Sequence, residues 1–518
     1  MTLLSRLGGL ARDVIVGRVF GVTPVGSAFA TAFAVPNMFR RLFGEGALSA
    51  AFIPAYADAQ RQGRDHADAL ASLTVALLAL VTTALTVVIE LGLLAVLLLA
   101  PHDPERALSL KLIMVMLPFM PLICVVAILA GMLQAHNRFG PAASGPLILN
   151  ALIVGVGAWC LLTGRLAGEG VAYAFGVATV LSGVTQCWWF LRLLRPHVSW
   201  TRAWGVASDR ARTMLRKFVP VALGLGTLQL NAFVDMLIAM WPVWVGPTLL
   251  GRAYPLTEGS AVILSLVQRL YQFPLGVFGI AVAAAAFPLL ARHAKENDHF
   301  VDTLRRAVRM SVYIGIPASA GLILVRHEAV GVMFGHGKTG WTPADLAKAA
   351  AVLAGFSAGV WAYSLNHVFT RTFYAKSDTM TPMRVALAMV GLNLVLNVTL
   401  IWRLQEAGLA WGTSIAAIVQ CVVLGALARR MLGREGWSGG MLDAASVRAA
   451  MKVVLATCGM SVCVWATLRW MPAATADGHT WTWQAVRLGV GLAAGGASYM
   501  GLTLALRMPE WKWLIGRG

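Results

Sequence analysis

The sequence predicts an all-α polytopic membrane protein, with about fourteen transmembrane helices in two six-helix pseudo-symmetric lobes followed by a C-terminal helix pair. Three observations carry that expectation. Of the 518 residues 58% are hydrophobic and 13% charged, and mean hydropathy is +0.72, too little polar surface for a soluble protein of this length. Apolar runs of about 20 residues, enough to cross a hydrocarbon core of about 30 Å, recur along the chain. Lysine and arginine gather in alternate connections between those runs.

The runs lie near 2–20, 26–56, 69–100, 108–134, 143–163, 170–194, 217–240, 259–290, 304–325, 343–370, 380–402, 408–428, 449–470 and 483–507. With a cytoplasmic N-terminus, the inner connections hold Arg61 and Arg64, Arg138, the run from Arg192 to Lys217, Arg292 to Arg306, Arg371 to Arg384, Arg429 to Lys452, and a tail with Arg507, Lys512 and Arg517. The outer connections hold only scattered cations such as Arg106, Arg165, Arg252 and Lys338, so one orientation is favoured throughout. An even number of spans returns the C-terminus to the cytoplasm. The net charge of +19 is then mostly topology and contact with membrane lipids, and no DNA- or RNA-binding motif is present. The start MTLLSRLGGLARD has no cleavable signal, so the first span is expected to stay in the mature protein. Cys124, Cys160, Cys187, Cys421, Cys458 and Cys463 fall in apolar spans without metal-ligand spacing and read as core packing.

The basic stretch RLLRPHVSWTRAWGVASDRARTMLRK divides the chain and reads as an amphipathic segment on the cytoplasmic membrane face. On either side the halves look alike. GEGVAYAFGVATVLSGVTQCWWFLRLLR near residue 168 parallels EAGLAWGTSIAAIVQCVVLGALARRM near residue 406, and RFGPAASGPLILNALIV parallels SDTMTPMRVALAMVGLNLVLNVTL. Four parts are expected: an N-terminal lobe 1–195, the linker 196–216, a second lobe 217–431, and an added helix pair with its tail, 432–518. Repeats of the same orientation imply a pseudo-twofold axis along the membrane normal and a central cleft.

Chemistry is expected where the repeat is broken. The first two spans carry Arg6, Arg12, Asp13, Arg18, Arg40, Arg41 and Glu45, whereas the matching pair in the second half carries mainly Asp235 and Arg269. A charge inside a bilayer costs several kcal/mol unless it faces a protein interior or a wet cavity, so these arginines suggest a route for an anion. Six-residue spacing turns a helix by about 240°, which keeps Arg6, Arg12 and Arg18 off a common face. A bend at Gly8–Gly9 lets Arg6 and Arg12 converge, with Asp13 positioned to hold Arg6. Pro36–Asn37 is expected to break the second span ahead of Arg40, and Arg41 to pair with Glu45 four residues on, which leaves Arg40 for the cleft. Arg269 opens RLYQFPLGVFG with neutral Gln268 beside it.

A second constellation concerns coupling ions. Asp235 lies deep in the seventh span, Asn393 and Asn397 share a face of the eleventh, and Thr413 lies in the twelfth. Carboxylate, amide and hydroxyl oxygens suit Na⁺, and a carboxylate alone suits H⁺; a hydrogen-bonded core is the alternative. No other cofactor is expected. His102, His293, His327, His336 and His479 are scattered among connections with no HExxH or paired-carboxylate motif, so the chain reads as a transporter and not an enzyme.

The runs SRLGGLARDVIVGRVFG, AFAVPNMFRRLFGEGALSAAFIPAYADA, RLYQFPLGVFGIAV and FYAKSDTMTPMRVALAMVGLNLVLN resemble the MurJ (MviN) family of lipid II flippases, within the superfamily of drug exporters and polysaccharide-unit flippases. The resemblance spans nearly the whole chain. It implies a substrate, undecaprenyl-pyrophosphate-linked disaccharide-pentapeptide, moved from inner to outer leaflet of the bacterial cytoplasmic membrane by alternating access through a cationic cavity. It implies binding roles for Arg6, Arg12, Asp13, Asn37, Arg40 and Arg269, a groove for the lipid tail along the last two spans, and association with cell-wall synthesis machinery. Pyrophosphate and arginine match independently, because the guanidinium fork satisfies several phosphate oxygens at once. Five residues precede Arg6, fewer than family members usually carry, and Ser27 stands where they usually have an acid. A flippase for another polyprenyl-linked glycan and a cation-coupled drug exporter are the alternative readings. The exporter would more naturally line its cleft with acids.

Overall fold

The computed structural model describes residues 2–39, 48–99, 103–165, 168–209, 211–214, 231–249, 251–335, 341–437, 439–472 and 481–514. Contacts divide the chain into two compact units, Met1–Val262 with Lys338–Gly340, and Ile263–Gly337 with Trp341–Gly518.

The first unit begins with α1 (Thr2–Phe20), α2 (Pro24–Phe39) and α3 (Leu48–Gln62). Next come α4 (Arg64–Leu99), α5 (Pro104–Met116), α6 (Phe119–Ala135), α7 (Phe139–Thr163) and α8 (Glu169–Leu194). At 1.5 Å per residue, the 36 residues of α4 measure about 54 Å, so its polar first turns extend beyond a bilayer core. The outward face of α4 bears Leu80, Val88, Leu91 and Leu98, all exposed, as a lipid-facing surface requires. Phe20, Phe29 and Phe175 meet at ring-centroid distances of 5.1 to 5.6 Å and tie α1 and α2 to α8.

The basic linker folds back onto its own unit. Val198, Ala207, Ala211 and Met214 are buried, Trp200, Trp204 and Val206 are exposed, and the Thr201 amide donates to Ser72 Oγ at 3.0 Å. Arg64 reaches the Pro196 carbonyl at 3.5 Å, and His197 stacks on His136 with centroids 4.6 Å apart. His136 also meets Tyr56 Oη and Gln60 Nε2, each at 3.2 Å. Burial first, then His197, Arg138 and Arg64, holds the His136 imidazole below its ordinary pKa of 6.5, against the opposing pull of Asp68. Folding therefore favours neutral His136: its contribution is complete above the unfolded value and lost as pH falls through the folded one. Amide exchange across residues 196–204, corrected for intrinsic rate, should rise between about pH 7.5 and about pH 5.5. His136→Gln should flatten that rise, and an unchanged profile in the variant would remove His136 as its cause.

In the second unit, α9 (Ser260–Pro274), a π turn (Leu275–Gly279) and α10 (Ile280–Arg292) form one broken helix. Then follow α11 (Asn297–Leu324), α12 (Arg326–Phe334), α13 (Pro343–Ala358), α14 (Val360–Ala375), α15 (Met380–Leu404) and α16 (Glu406–Arg434). The chain closes with α17 (Ala444–Trp470), α18 (Trp481–Ala505) and α19 (Glu510–Leu514). Two starts are set by side chains: Thr342 and Asp345 form a capping box on α13, and Asp443 accepts from the Ser446 amide at 2.8 Å on α17. The added pair α17 and α18 packs on itself, and α17 lies along α11.

Ten described helices are long and apolar enough to cross a membrane. They match the third to sixth and ninth to fourteenth expected spans within a few residues. The other four differ for identifiable reasons. Helix α1 carries Arg6, Arg12, Asp13 and Arg18; the second span is described only as α2 and α3; most of 217–240 lies outside the described residues; and the eighth is interrupted by its π turn.

Three local expectations are corrected. Helix α1 runs unbroken through Gly8–Gly9, and Gly8 instead permits close approach of α7, since a Cβ there would sit 3.3 Å from Asn150 Nδ2. Pro36 is tolerated inside α2, which continues to Phe39. Among the cysteines, Cys458 and Cys463 are exposed on α17 and are not core packing, whereas Cys124, Cys160 and Cys421 are buried and Cys187 half-buried.

Candidate functional site

In the first unit the site is built around Arg12. Its Nε and Nη2 donate to Asp13 Oδ1 at 3.0 and 2.8 Å, its Nη1 donates to Asn150 Oδ1 at 3.2 Å, and its guanidinium lies 5.2 Å from the Phe33 ring centroid. The Arg12 and Asp13 side chains are 12% and 13% exposed. A carboxylate, an amide and an aromatic face from three helices thus hold one fork in one orientation. A guanidinium has five N–H donors, and three are engaged here, leaving two for an incoming acceptor.

Asp13 therefore orients Arg12, its immediate neighbour, a pairing the sequence reading did not name. The Arg6 side chain lies outside the described set. Asn37 occupies the last turn of α2 and is half-buried. Arg40, Arg41 and Glu45 lie outside the described residues, so the expected Arg41–Glu45 pair is not on view. Asn150 and Phe33 were missed as site residues. The available signal was an amide, 6% exposed in the fold, in the middle of an apolar span.

In the second unit Arg269 is half-buried on α9, and its Nη1 reaches Gln272 Oε1 at 3.4 Å, so its contact within the helix is a neutral amide one turn ahead. The nearby π turn breaks the helix six residues further on, a geometry frequent at functional sites.

Asn393 and Asn397 are 1% and 0% exposed on α15, and both Oδ1 atoms face Gly412 of α16. Any side chain at 412 would run into Asn397. Thr413 donates to the Leu409 carbonyl at 3.0 Å. Asp235 is half-buried in the helical stretch 231–239 of the first unit, and so belongs to a different unit from the other three. Among the described residues no three His, Cys, Asp or Glu side chains are grouped as metal ligands.

This geometry has relatives. The family model described as lipid II flippase MurJ matches residues 16–476. The chain is 30% identical over 441 residues to a protein of Vibrio cholerae named "Probable lipid II flippase MurJ", covering 82% of this chain and 80% of that one. A protein of Rhizobium meliloti with the same name is 29% identical over 482 residues, covering 91% and 85%. A solved lipid II flippase MurJ in an inward closed conformation has the same fold, with a TM-score of 0.75 at 21% identity over 98% of both chains. An inward-facing multidrug resistance MATE family transporter aligns with a TM-score of 0.66 at 14% identity, covering 84% of this chain and 96% of that one. The family match begins inside α1, four residues after Arg12, and runs through the broken helix of Arg269 and the buried asparagines of α15, so the chain belongs to the lipid II flippase MurJ family.

Proposed function

We propose that the chain moves lipid II across the bacterial inner membrane by alternating access, with Arg12 gripping the pyrophosphate. The observation that carries this reading is the Arg12 fork, held on three sides with two donors left over. A transporter needs such preorganisation because a loose arginine would lose side-chain entropy on each capture. Arg6, Asn37, Arg40 and Arg269 are assigned to the same anion, with Asp13 as the residue that orients Arg12 and Arg41–Glu45 as a supporting ion pair. The cationic residues favour closure once the substrate has neutralised them, since bringing unpaired arginines together is repulsive. Both termini are assigned to the cytoplasm from the lysine and arginine bias, and the cell-wall synthesis machinery is the partner to which the product passes.

The test is rescue of cells depleted of their own lipid II flippase, joined to accumulation of outward-facing lipid II in vesicles. Wild-type chain should restore both. Growth without outward-facing lipid II would sink the reading in favour of another polyprenyl-linked glycan.

A coupling ion is proposed on a separate observation, the convergence of the Asn393 and Asn397 amide oxygens. Amide, hydroxyl and carboxylate oxygens from Asn393, Asn397, Thr413 and Asp235 suit Na⁺, with H⁺ on Asp235 as the alternative. If Na⁺ drives the reset, transport should depend on external Na⁺, and Asp235→Asn should abolish that dependence. Equal rates in Na⁺ and K⁺ media, with a response to pH alone, would assign the proton.

A further inference from the structure

We infer that Arg371, with His367 beside it, forms a second phosphate-binding station on α14, serving the same lipid-linked pyrophosphate. The inference rests on the substrate reading above but on different residues.

Helix α14 has two faces. One is locked into the second unit: Asn366 Nδ2 donates to the Ala417 carbonyl at 2.9 Å, and Val368, Phe369, Thr372 and Phe373 are buried. The other carries Tyr363, His367, Thr370, Arg371 and Tyr374, successive turns of a single stripe. His367 and Arg371 are half-buried, and both lie inside the span Pro343–Ala375.

Arg371 has little to hold it. Among the described residues its one hydrogen bond is from Nη1 to the Ile280 carbonyl, at 3.5 Å. Four of the five guanidinium N–H groups are left for an acceptor, against two on Arg12. A phosphate oxygen is the ligand this geometry fits, because a fork accepts two such oxygens side by side, while a stripe without a carboxylate offers nothing to a cation. Aromatic neighbours keep the stripe rigid: Tyr363 stacks on Tyr271 at 5.6 Å and shares a hydrogen bond with Ser414 Oγ at 3.3 Å.

The weak bond to Ile280 is also informative. Ile280 is the first residue of α10, directly after the π turn, and Gly279 packs so closely on Ser364 of α14 that no side chain would fit there. An anion that draws Arg371 away from that carbonyl releases a contact at the break in the helix that bears Arg269. Substrate capture is thereby linked to the one π-interrupted helix among the described residues.

The test uses full-length protein in phosphatidylcholine nanodiscs titrated with undecaprenyl pyrophosphate, with inorganic pyrophosphate and phosphatidylglycerol as separate competitors. Wild type should bind the lipid pyrophosphate, Arg371→Gln about tenfold more weakly, and Arg371→Lys in between. Inorganic pyrophosphate should compete with it and phosphatidylglycerol should not. Arg371→Gln binding as wild type does, or displacement by phosphatidylglycerol, would overturn the assignment. Should the glutamine variant not fold, the lysine variant decides the matter, since a point charge without the fork must still lose affinity. No binding by wild type would instead overturn the substrate reading itself, so the two failures are distinct.

Discussion

Arg12→Ala is expected to abolish rescue of flippase-depleted cells at normal expression, and Arg12→Lys to rescue poorly. Two losses add in the alanine variant. The anion loses its preoriented fork, and Asp13, with a side chain only 13% exposed, keeps a carboxylate that Arg12 had paired. Removing one partner of a buried pair commonly costs about 3 to 5 kcal/mol because the other charge is left uncompensated. Lysine restores charge but is a compact donor. It cannot hold Asp13, Asn150 and a phosphate in the fixed directions that Nε, Nη1 and Nη2 provide. Asn150→Ala should fall between wild type and Arg12→Ala, as one of three restraints is lost. Growth of the alanine variant at the wild-type rate, with equal protein in the membrane, would remove Arg12 from the mechanism.

Arg309→Ala is expected to produce the largest loss of stability, about 3 to 5 kcal/mol, concentrated at the C-terminal end. Arg309 Nε and Nη2 donate to one oxygen of Glu510 at 2.9 and 2.6 Å, and Glu510 is 1% exposed. Its guanidinium also lies 5.0 Å from the Trp513 ring centroid, so α19 is clamped to α11 by an ion pair and a cation–π contact together. Arg309→Ala strands a buried carboxylate. Replacing both partners, Arg309→Met with Glu510→Leu, should recover most of the stability, since a matched apolar pair leaves no charge unpaired. Amide exchange across α18 and α19 is the readout. If the single and double variants exchange alike, the effect comes from lost packing of the arginine stem and not from the stranded charge.

Much of this protein could be read from local pattern. The ten long spans were located within a few residues because a bilayer demands about 20 apolar residues in sequence, whatever lies beside them. Arg12 stood out for the same reason, as a charge in an apolar run. What pattern missed were partners. Asp13 was assigned to Arg6 by helical spacing; its bond to Arg12 was missed, because adjacent side chains can meet when a third group, Asn150 on α7, sets the direction of the fork. Gly8–Gly9 suggested a bend and instead admits a neighbouring helix, which only the position of α7 reveals. Pro36 suggested a break, but helix packing retains α2 through it. Arg371 was counted among the cations of a connection, and the structure extends α14 through it to Ala375.

The sequence by itself determined that the chain crosses a membrane many times, which connections are basic, and that arginines are concentrated in the first spans. Those are consequences of one-dimensional composition against the thickness of a bilayer. Only tertiary structure decided which groups meet. Arg12 finds Asn150 across 138 positions and Arg309 finds Glu510 across 201, distances over which hydropathy and helical period carry no information. A buried charge must be satisfied by whatever the fold brings to it, and that partner is chosen by packing.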